Sequence, residues 1–115
     1  MKVFGQKKNI NVAGVTFSGR QGKLWNLKAN SASGVYVTLR REPDNKYDSN
    51  AIKVIAHIPA KRSHFEIGYV PKDLAFWLAP HMDANKIIRT SNVRVIGGYG
   101  KKATLGCLFN LAYEL

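Results

Sequence analysis

The chain has 115 residues, of which 45% are hydrophobic, a length and an apolar content that suit one domain with its own core. Its formal net charge of +11, from 18 Lys and Arg against 7 Asp and Glu, favours a polyanionic partner, of which nucleic acid is the commonest inside cells. The single cysteine excludes a disulfide within the chain and a cysteine-based zinc site.

The first half of the chain predicts short strands separated by turns. Residues 10–17 alternate between two faces as a strand does, and residues 23–27 are expected to form a short return after the glycines of 19–22. Small polar residues at 30–34 predict a loop. The β-branched and aromatic residues of 35–40 predict the next strand.

The second half continues this pattern and adds a helix. Four further strands are predicted, at residues 51–58, 65–70, 93–97 and 103–113. Pro71 suits the first position of a helix over 72–78, which Pro80 is expected to end, and a weaker turn or helix is expected at 83–88. The fold class is therefore mainly β with minor α: a single domain over 1–115, built as a small, partly open β-barrel with one or two short helices.

The few acidic residues are concentrated in one segment. Residues 1–41 contain eight Lys or Arg and no acid, whereas Glu42, Asp44 and Asp48 fall within seven residues. The same segment has turn chemistry, because Pro43 presets φ and because Asp side chains bond to nearby backbone N–H groups. A plain turn and a functional site are both open interpretations of these acids, and the basic excess itself is explained either by a polyanion or by solubility alone.

Comparison with metal and enzyme motifs fails at particular positions. An EF-hand loop starting at Asp44 would place Lys46 where an oxygen ligand is needed. A metal-dependent nuclease pattern would place Gly68 where such a site needs lysine. Three histidines lack both metal-ligand spacing and a nucleophile to activate: His57, His64 and His81. We therefore expect no catalytic residues, no metal and no cofactor.

The sequence favours a cytoplasmic location. No apolar run reaches the length that spans a bilayer, and residues 1–9 lack the hydrophobic stretch of a signal peptide. Cys107 lies in an apolar stretch and is interpreted as a core residue of a protein in a reducing compartment. Trp25 and Trp77 are interpreted as packing residues.

Three segments, in chain order, resemble the HIRAN domain. They are Val-Ala-Gly-Val at 12–15, the block at 39–54 with Arg-Arg-Glu-Pro-Asp-Asn and Tyr-Asp-Ser-Asn-Ala-Ile-Lys-Val, and Ile-Gly-Tyr-Val-Pro at 67–71. The resemblance extends over residues 12–83 and, more weakly, over the final β-hairpin at 93–114. HIRAN domains are fused to Swi/Snf-type helicases or occur alone in bacteria. Membership implies an OB-like barrel and, as in the helicase type, recognition of the 3′ end of single-stranded DNA.

The resemblance implies two contacts to a DNA end. Asp48 would accept a hydrogen bond from the terminal 3′-hydroxyl, and Tyr47 would pack against the terminal nucleotide. The assignment to Asp48 agrees with its chemistry, because a carboxylate accepts from a hydroxyl and repels a terminal phosphate. Such a contact would explain why acidic residues lie within a basic surface.

Aromatic contacts are implied as well. Phe17 takes the position of a family aromatic beside the first strand that stacks a base, and such stacking tolerates any base. The aromatic of a later loop falls on Tyr99, next to Lys101 and Lys102.

Two positions depart from the family pattern. Thr16 stands where the family has a phosphate-binding arginine, and Tyr69 stands where it has a histidine. Arg40 and Arg41 alternate faces of a predicted strand, so at most one of them is expected to meet the ligand. Three other cations are candidates to replace the missing phosphate contact: Arg20, Lys23 and Lys72.

The leading hypothesis is a nucleic-acid-binding module that holds single-stranded DNA at a free 3′-OH end and performs no chemistry itself. The expected partners are single-stranded DNA or DNA 3′ ends, and a helicase or other DNA-processing protein. One alternative is a protein-interaction domain whose basic surface binds an acidic partner. Another is an accessory domain of a DNA-processing enzyme carried on another chain.

Overall fold

The structure is a computed structural model that describes residues 1–99 and 104–115. The strands and α-helices of this part of the chain are β1 (Phe4–Asn11), α1 (Arg20–Ala29), β2 (Tyr36–Arg41), β3 (Ile52–Ile58), β4 (Ser63–Tyr69), α2 (Lys72–Asp83), β5 (Ile88–Gly97) and β6 (Leu105–Glu114). Two short 3-10 helices lie in the connections, at Ser31–Ser33 and Pro59–Lys61. Strands outweigh helices, and the prediction of a mainly β chain with minor α is confirmed.

The strands form two antiparallel sheets of three strands each. The terminal sheet has the order β1-β6-β5, and the central sheet is the meander β2-β3-β4. The two sheets meet where the Thr90 hydroxyl of β5 donates to the carbonyl of Val37 in β2. They are not closed into a continuous cylinder, which agrees with the OB-like, partly open barrel expected from the sequence.

The core lies between the two sheets. Inward-facing residues alternate along the two central strands as the pleat requires: Ile52, Val54, Ala56 and Ile58 in β3, and Leu105, Cys107, Phe109 and Leu111 in β6. Leu24 and Leu27 of α1 and Leu78 of α2 complete this cluster. Each fully buried Leu, Ile or Phe contributes roughly 1.5–3 kcal/mol, so this cluster supplies the main driving force for folding.

Residues 12–13 connect the two sheets. The Val12 amide donates to the Cys107 carbonyl of the terminal sheet at 2.9 Å. Ala13 exchanges two backbone hydrogen bonds, of 2.8 and 2.9 Å, with Tyr69 of the central sheet. This close approach requires Gly68, because a side chain there would collide with the carbonyl oxygen of Ala13.

The strand predicted at 10–17 and the return predicted at 23–27 are wrong. The strand begins earlier and ends at Asn11, because Gly14 and Ser18 adopt positive φ and turn the chain away. Residues 23–27 lie inside α1, where Leu24 and Leu27 are buried one helical turn apart. The helix start has a weak sequence signal, because Gly19 at its N-cap has no side chain to cap it.

The predicted end of α2 is also wrong, whereas the turn predicted after it is present. Pro80 lies within the helix, which continues to Asp83 although proline removes one backbone donor. Burial of Leu78 and Ala79 outweighs that loss. The turn or helix expected at 83–88 is a short turn at Asn85, whose φ of +58° ends the helix before β5 begins.

The strands predicted at 35–40, 51–58 and 65–70 are confirmed to within two residues at each end. The final hairpin is confirmed too, although β5 begins five residues before the predicted 93. Ile88 pairs with Tyr113, so β5 and β6 match in length. No helix in the described residues is long and apolar enough to cross a membrane.

We expect Gly68→Ala to lower the free energy of unfolding by about 1–3 kcal/mol, because the new methyl group must displace the backbone of Ala13. Gly22→Ala in α1 is the matched control: nothing lies within 4 Å of the added carbon, and alanine should stabilise the helix by about 0.5–1 kcal/mol. Urea denaturation of both variants measures the difference. Equal stability of the two variants would contradict the assigned role of Gly68.

Cys107 should be inert in the folded protein. Burial raises the pKa of its thiol to about 12, so the nucleophilic thiolate is scarce at pH 8. We expect Ellman's reagent to leave the native protein unmodified and to titrate one thiol after denaturation in urea. Fast reaction of the native protein would show that the core opens around β6.

Candidate nucleic-acid interface

The connection between β2 and β3 is ordered by its own polar side chains. The Asn45 side-chain oxygen accepts from the backbone amides of Tyr47 at 2.9 Å and Asp48 at 3.0 Å. One carboxylate oxygen of Asp48 accepts from the amide of Asn50 at 2.9 Å. The turn interpretation is therefore correct for this segment, and these bonds also set where Tyr47 and Asp48 stand.

Arg41 also holds the connection between β2 and β3 in place. Its two terminal nitrogens donate to the carbonyls of Ala51 at 2.8 Å and Ser49 at 2.9 Å. Its Nε donates to Asp83 at the end of α2 at 2.9 Å, and this bond keeps the pKa of the Asp83 carboxyl below its usual value. Arg41 is thus the paired member of the two arginines, and Arg40 is exposed on the opposite face of β2.

A groove of about 490 Å³ opens beside this connection. We call it the Tyr47 groove, and it is lined by Ala13, Asn45, Tyr47, Asp48, Ala51, Tyr69, Val70 and Lys72. Four residues predicted from the sequence meet here: Tyr47, Asp48, Tyr69 and Lys72. Tyr47 is 93% exposed, so its ring is available to a ligand.

The wall formed by Tyr69 is fixed by an ionic network. The Tyr69 hydroxyl donates to one Glu42 oxygen at 2.9 Å, and the other Glu42 oxygen lies 2.7 Å from the Lys53 ammonium. The bond from Lys53 lowers the pKa of Glu42, while burial and then the bond to Glu42 raise the pKa of Tyr69. Tyr69 therefore stays neutral, and Lys53 balances the charge of Glu42.

Asp48 differs from Glu42 because only one of its two carboxylate oxygens has a hydrogen-bond partner among the described residues. Its second carboxylate oxygen accepts no hydrogen bond from residues 1–99 or 104–115. The side chain is partly buried and lines the groove, so this oxygen can accept from a ligand hydroxyl.

The loop that precedes α1 lies next to the groove. Arg20 donates to the Gly14 carbonyl at 2.8 Å, and its guanidinium lies 5.6 Å from the centre of the Tyr69 ring. The Phe17 amide bonds the same carbonyl at 3.2 Å. Phe17 is 66% exposed and Thr16 is exposed, so both face solvent beside the groove, although neither lines it.

Tyr99 belongs to a second aromatic group, outside the lining of the groove. The Lys28 ammonium lies 5.6 Å from the Tyr99 ring and 5.1 Å from the Trp25 ring. Tyr99 is 82% exposed and Trp25 is 44% exposed. Trp25 is therefore only partly buried, and the interpretation of it as purely a packing residue is wrong. The predicted contacts Lys101 and Lys102 lie outside the described residues.

Several residues of this surface were not predicted from the sequence. Asn45 and Lys53 lie within the block at 39–54 that carries the family resemblance, but neither was predicted to be a site residue. The spacing of Trp25 and Lys28 places them on one face of a helix, but residues 23–27 were expected to be a strand. Recognition of α1 would have revealed that pair.

Fold and site together define a small, partly open β-barrel with an aromatic groove and a basic surface. The HIRAN domain model matches residues 7–114, and the chain belongs to this family. Membership implies a DNA-binding module. A search of curated proteins and a search of solved structures gave no match.

We expect Arg41→Ala to lower the free energy of unfolding by about 1.5–3 kcal/mol, because the carbonyls of Ala51 and Ser49 lose a charged donor. Arg40→Ala is the matched control, since Arg40 is exposed, and its effect should stay within about 0.5 kcal/mol. Urea denaturation compares the two. Equal effects would mean that Arg41 does not hold the connection.

Proposed function

We propose that the chain binds single-stranded DNA, holds a free 3′-OH end in the Tyr47 groove and performs no chemistry itself. The observation that carries this proposal is the spare oxygen of Asp48 beside the exposed ring of Tyr47 in one groove. A terminal nucleotide offers a base to stack and a hydroxyl to donate, and the groove supplies a partner for each.

Selection of the end follows from the charge of Asp48. A 3′-hydroxyl donates to the free oxygen, whereas a 3′-phosphate would bring like charges into contact. Two unit charges 4 Å apart near a protein surface repel by about 4 kcal/mol. Glu42 is paired with Lys53, whereas Asp48 is the carboxylate that lines the groove. In this proposal Asp48 therefore distinguishes a 3′-hydroxyl from a 3′-phosphate.

Stacking and positive charge supply the affinity in this proposal. An exposed aromatic contributes about 1–3 kcal/mol per stacked base, and Tyr47 and Phe17 are the exposed rings at and beside the groove. Lys72 lines the groove, and Arg20 lies over Tyr69. These two cations offer phosphate contacts near the position where Thr16 replaces the family arginine.

The end preference is tested with two oligonucleotides that differ only in a 3′-hydroxyl or a 3′-phosphate. We expect the wild type to prefer the hydroxyl end by at least about tenfold. In Asp48→Asn, the amide oxygen can still accept from Asn50 while the charge is lost, so the preference should shrink. Asp44→Asn, an exposed acid of the same connection outside the groove lining, should keep it.

Fluorescence anisotropy gives both affinities for each variant. Equal binding of the two ends by the wild type would overturn end recognition and leave general DNA binding standing. Binding of neither oligonucleotide would favour the protein-interaction alternative, in which the basic surface meets an acidic partner.

Stacking is tested by two changes at one position. Tyr47→Ala should weaken binding of the 3′-OH oligonucleotide by about 1–3 kcal/mol, because it removes the ring. Tyr47→Phe keeps the ring and should bind nearly as tightly as the wild type. Equal losses in the two variants would assign the contact to the hydroxyl instead of the ring.

A further inference from the structure

The outer face of the central sheet carries three rings in a row, which we call the histidine ladder: Tyr36, His57 and His64. The three residues are direct cross-strand neighbours on β2, β3 and β4. Tyr36 and His57 stack with ring centres 4.6 Å apart and planes 6° apart, and the His57 and His64 centres are 5.8 Å apart. The ladder is therefore one continuous stack across the sheet.

The ladder faces solvent and does not belong to the core. Tyr36 is 46% exposed, His64 is exposed and His57 is partly buried between them. The Thr38 hydroxyl lies 2.8 Å from Nε2 of His57 and fixes that ring. Cross-strand ring pairs stabilise a sheet, but packing alone would be served by apolar side chains, whereas histidines add N–H donors and a titratable charge.

The charges around the ladder are set by three elements. Arg40 on β2 forms no ion pair with the described residues. Lys53 on β3 pairs with both Glu66 on β4 and Glu42, so this group of three side chains has a net charge of −1. The turn between β3 and β4 adds two exposed cations beside the ladder: Lys61 and Arg62. The segment from His57 to His64 carries only neutral or positive groups, and the nearest acid along β4 is Glu66, two residues beyond His64.

We propose that the histidine ladder and the adjoining turn residues Lys61 and Arg62 form a second contact for the sugar-phosphate backbone of single-stranded nucleic acid, strengthened by protonation of His57 and His64. The proposal rests on the proposed function for the nature of the ligand. It adds a surface that lies outside the lining of the Tyr47 groove.

The Tyr47 groove and the histidine ladder are close enough to bind the same nucleic-acid strand. His57 lies four residues along β3 from Lys53, which pairs with the groove residue Tyr69. Four residues of a β-strand span about 13 Å. A single nucleic-acid strand whose end lies in the groove can therefore continue across the same sheet face to the ladder. Different nucleotides of that strand would occupy the two surfaces.

The pH dependence has a definite sign. Burial lowers the pKa of His57, and the nearby His64 and Arg40 lower it further, so the ring is mainly neutral at pH 7. A bound phosphate favours the protonated ring and raises that pKa. Protonation and binding are therefore linked, and affinity should rise as the pH falls toward the free-state pKa values.

The direct test is an NMR titration of the three histidine rings with and without a 3′-OH oligonucleotide. We expect the oligonucleotide to raise the pKa of His57 and to shift the ring signals of His64. His81 is the internal control, because it packs against Trp77 on α2 and bonds the Trp77 carbonyl, so its ring signals should not respond to the oligonucleotide. An unchanged pKa of His57 in the complex would overturn the proposal.

Binding at pH 5.5 and pH 8.0 provides the second measurement. Each unit by which binding raises a histidine pKa gives up to about a tenfold gain in affinity at the lower pH. The double variant His57→Gln and His64→Gln should lose this gain, whereas His81→Gln should behave as the wild type. An unchanged gain in the double variant would place the titrating group elsewhere and overturn the proposal.

The 3′-phosphate oligonucleotide separates this proposal from end recognition. The ladder does not touch the end, but the 3′-phosphate itself takes up a proton between pH 8.0 and pH 5.5. The gain supplied by the ladder is therefore the part that both oligonucleotides lose in the His57→Gln and His64→Gln double variant. End discrimination with a flat pH response would overturn the ladder alone. A pH response without end discrimination would overturn end recognition alone, and binding of neither oligonucleotide would overturn both.

Discussion

The close approach of two backbone segments, at Ala13 and at Gly68 to Tyr69, is the constraint on which the site depends. Residues 12–13 hydrogen-bond to the terminal sheet through Cys107 and to the central sheet through Tyr69. Glycine at position 68 makes the contact possible, because its missing side chain leaves room for the Ala13 carbonyl. Both sheets are thereby held in the relative position that opens the Tyr47 groove.

The consequences of this contact extend to the loop before α1. Ala13 lines the groove, and the next residue, Gly14, supplies the carbonyl that Arg20 and the Phe17 amide bind. Arg20 also lies over the ring of Tyr69. A loop that looks peripheral in the sequence is thus attached to the groove wall, and it brings a cation and an exposed aromatic to its edge.

The connection between β2 and β3 shows that the residue that closes a turn can also line a groove. One oxygen of Asp48 closes the turn on Asn50, and the other points to no described donor. Arg41 holds the connection from the opposite side, and Lys53 balances the nearby Glu42. Order in this segment is therefore provided within the protein, which lowers the entropic cost of ordering it when a ligand binds.

The sequence by itself determined the β-rich class and the strands at 35–40, 51–58 and 65–70, because period-two patterns are local signals. Turn chemistry and a family motif, which are local as well, made Tyr47 and Asp48 candidate site residues. It misplaced α1 and the end of α2, since burial of Leu24, Leu27 and Leu78 against distant strands overrides a glycine N-cap and Pro80. Only the tertiary structure decided that Tyr69 and Lys72 share a groove with Tyr47, and that Tyr36, His57 and His64 form one stack. Both arrangements depend on strand register and sheet packing, which bring together residues far apart in the chain.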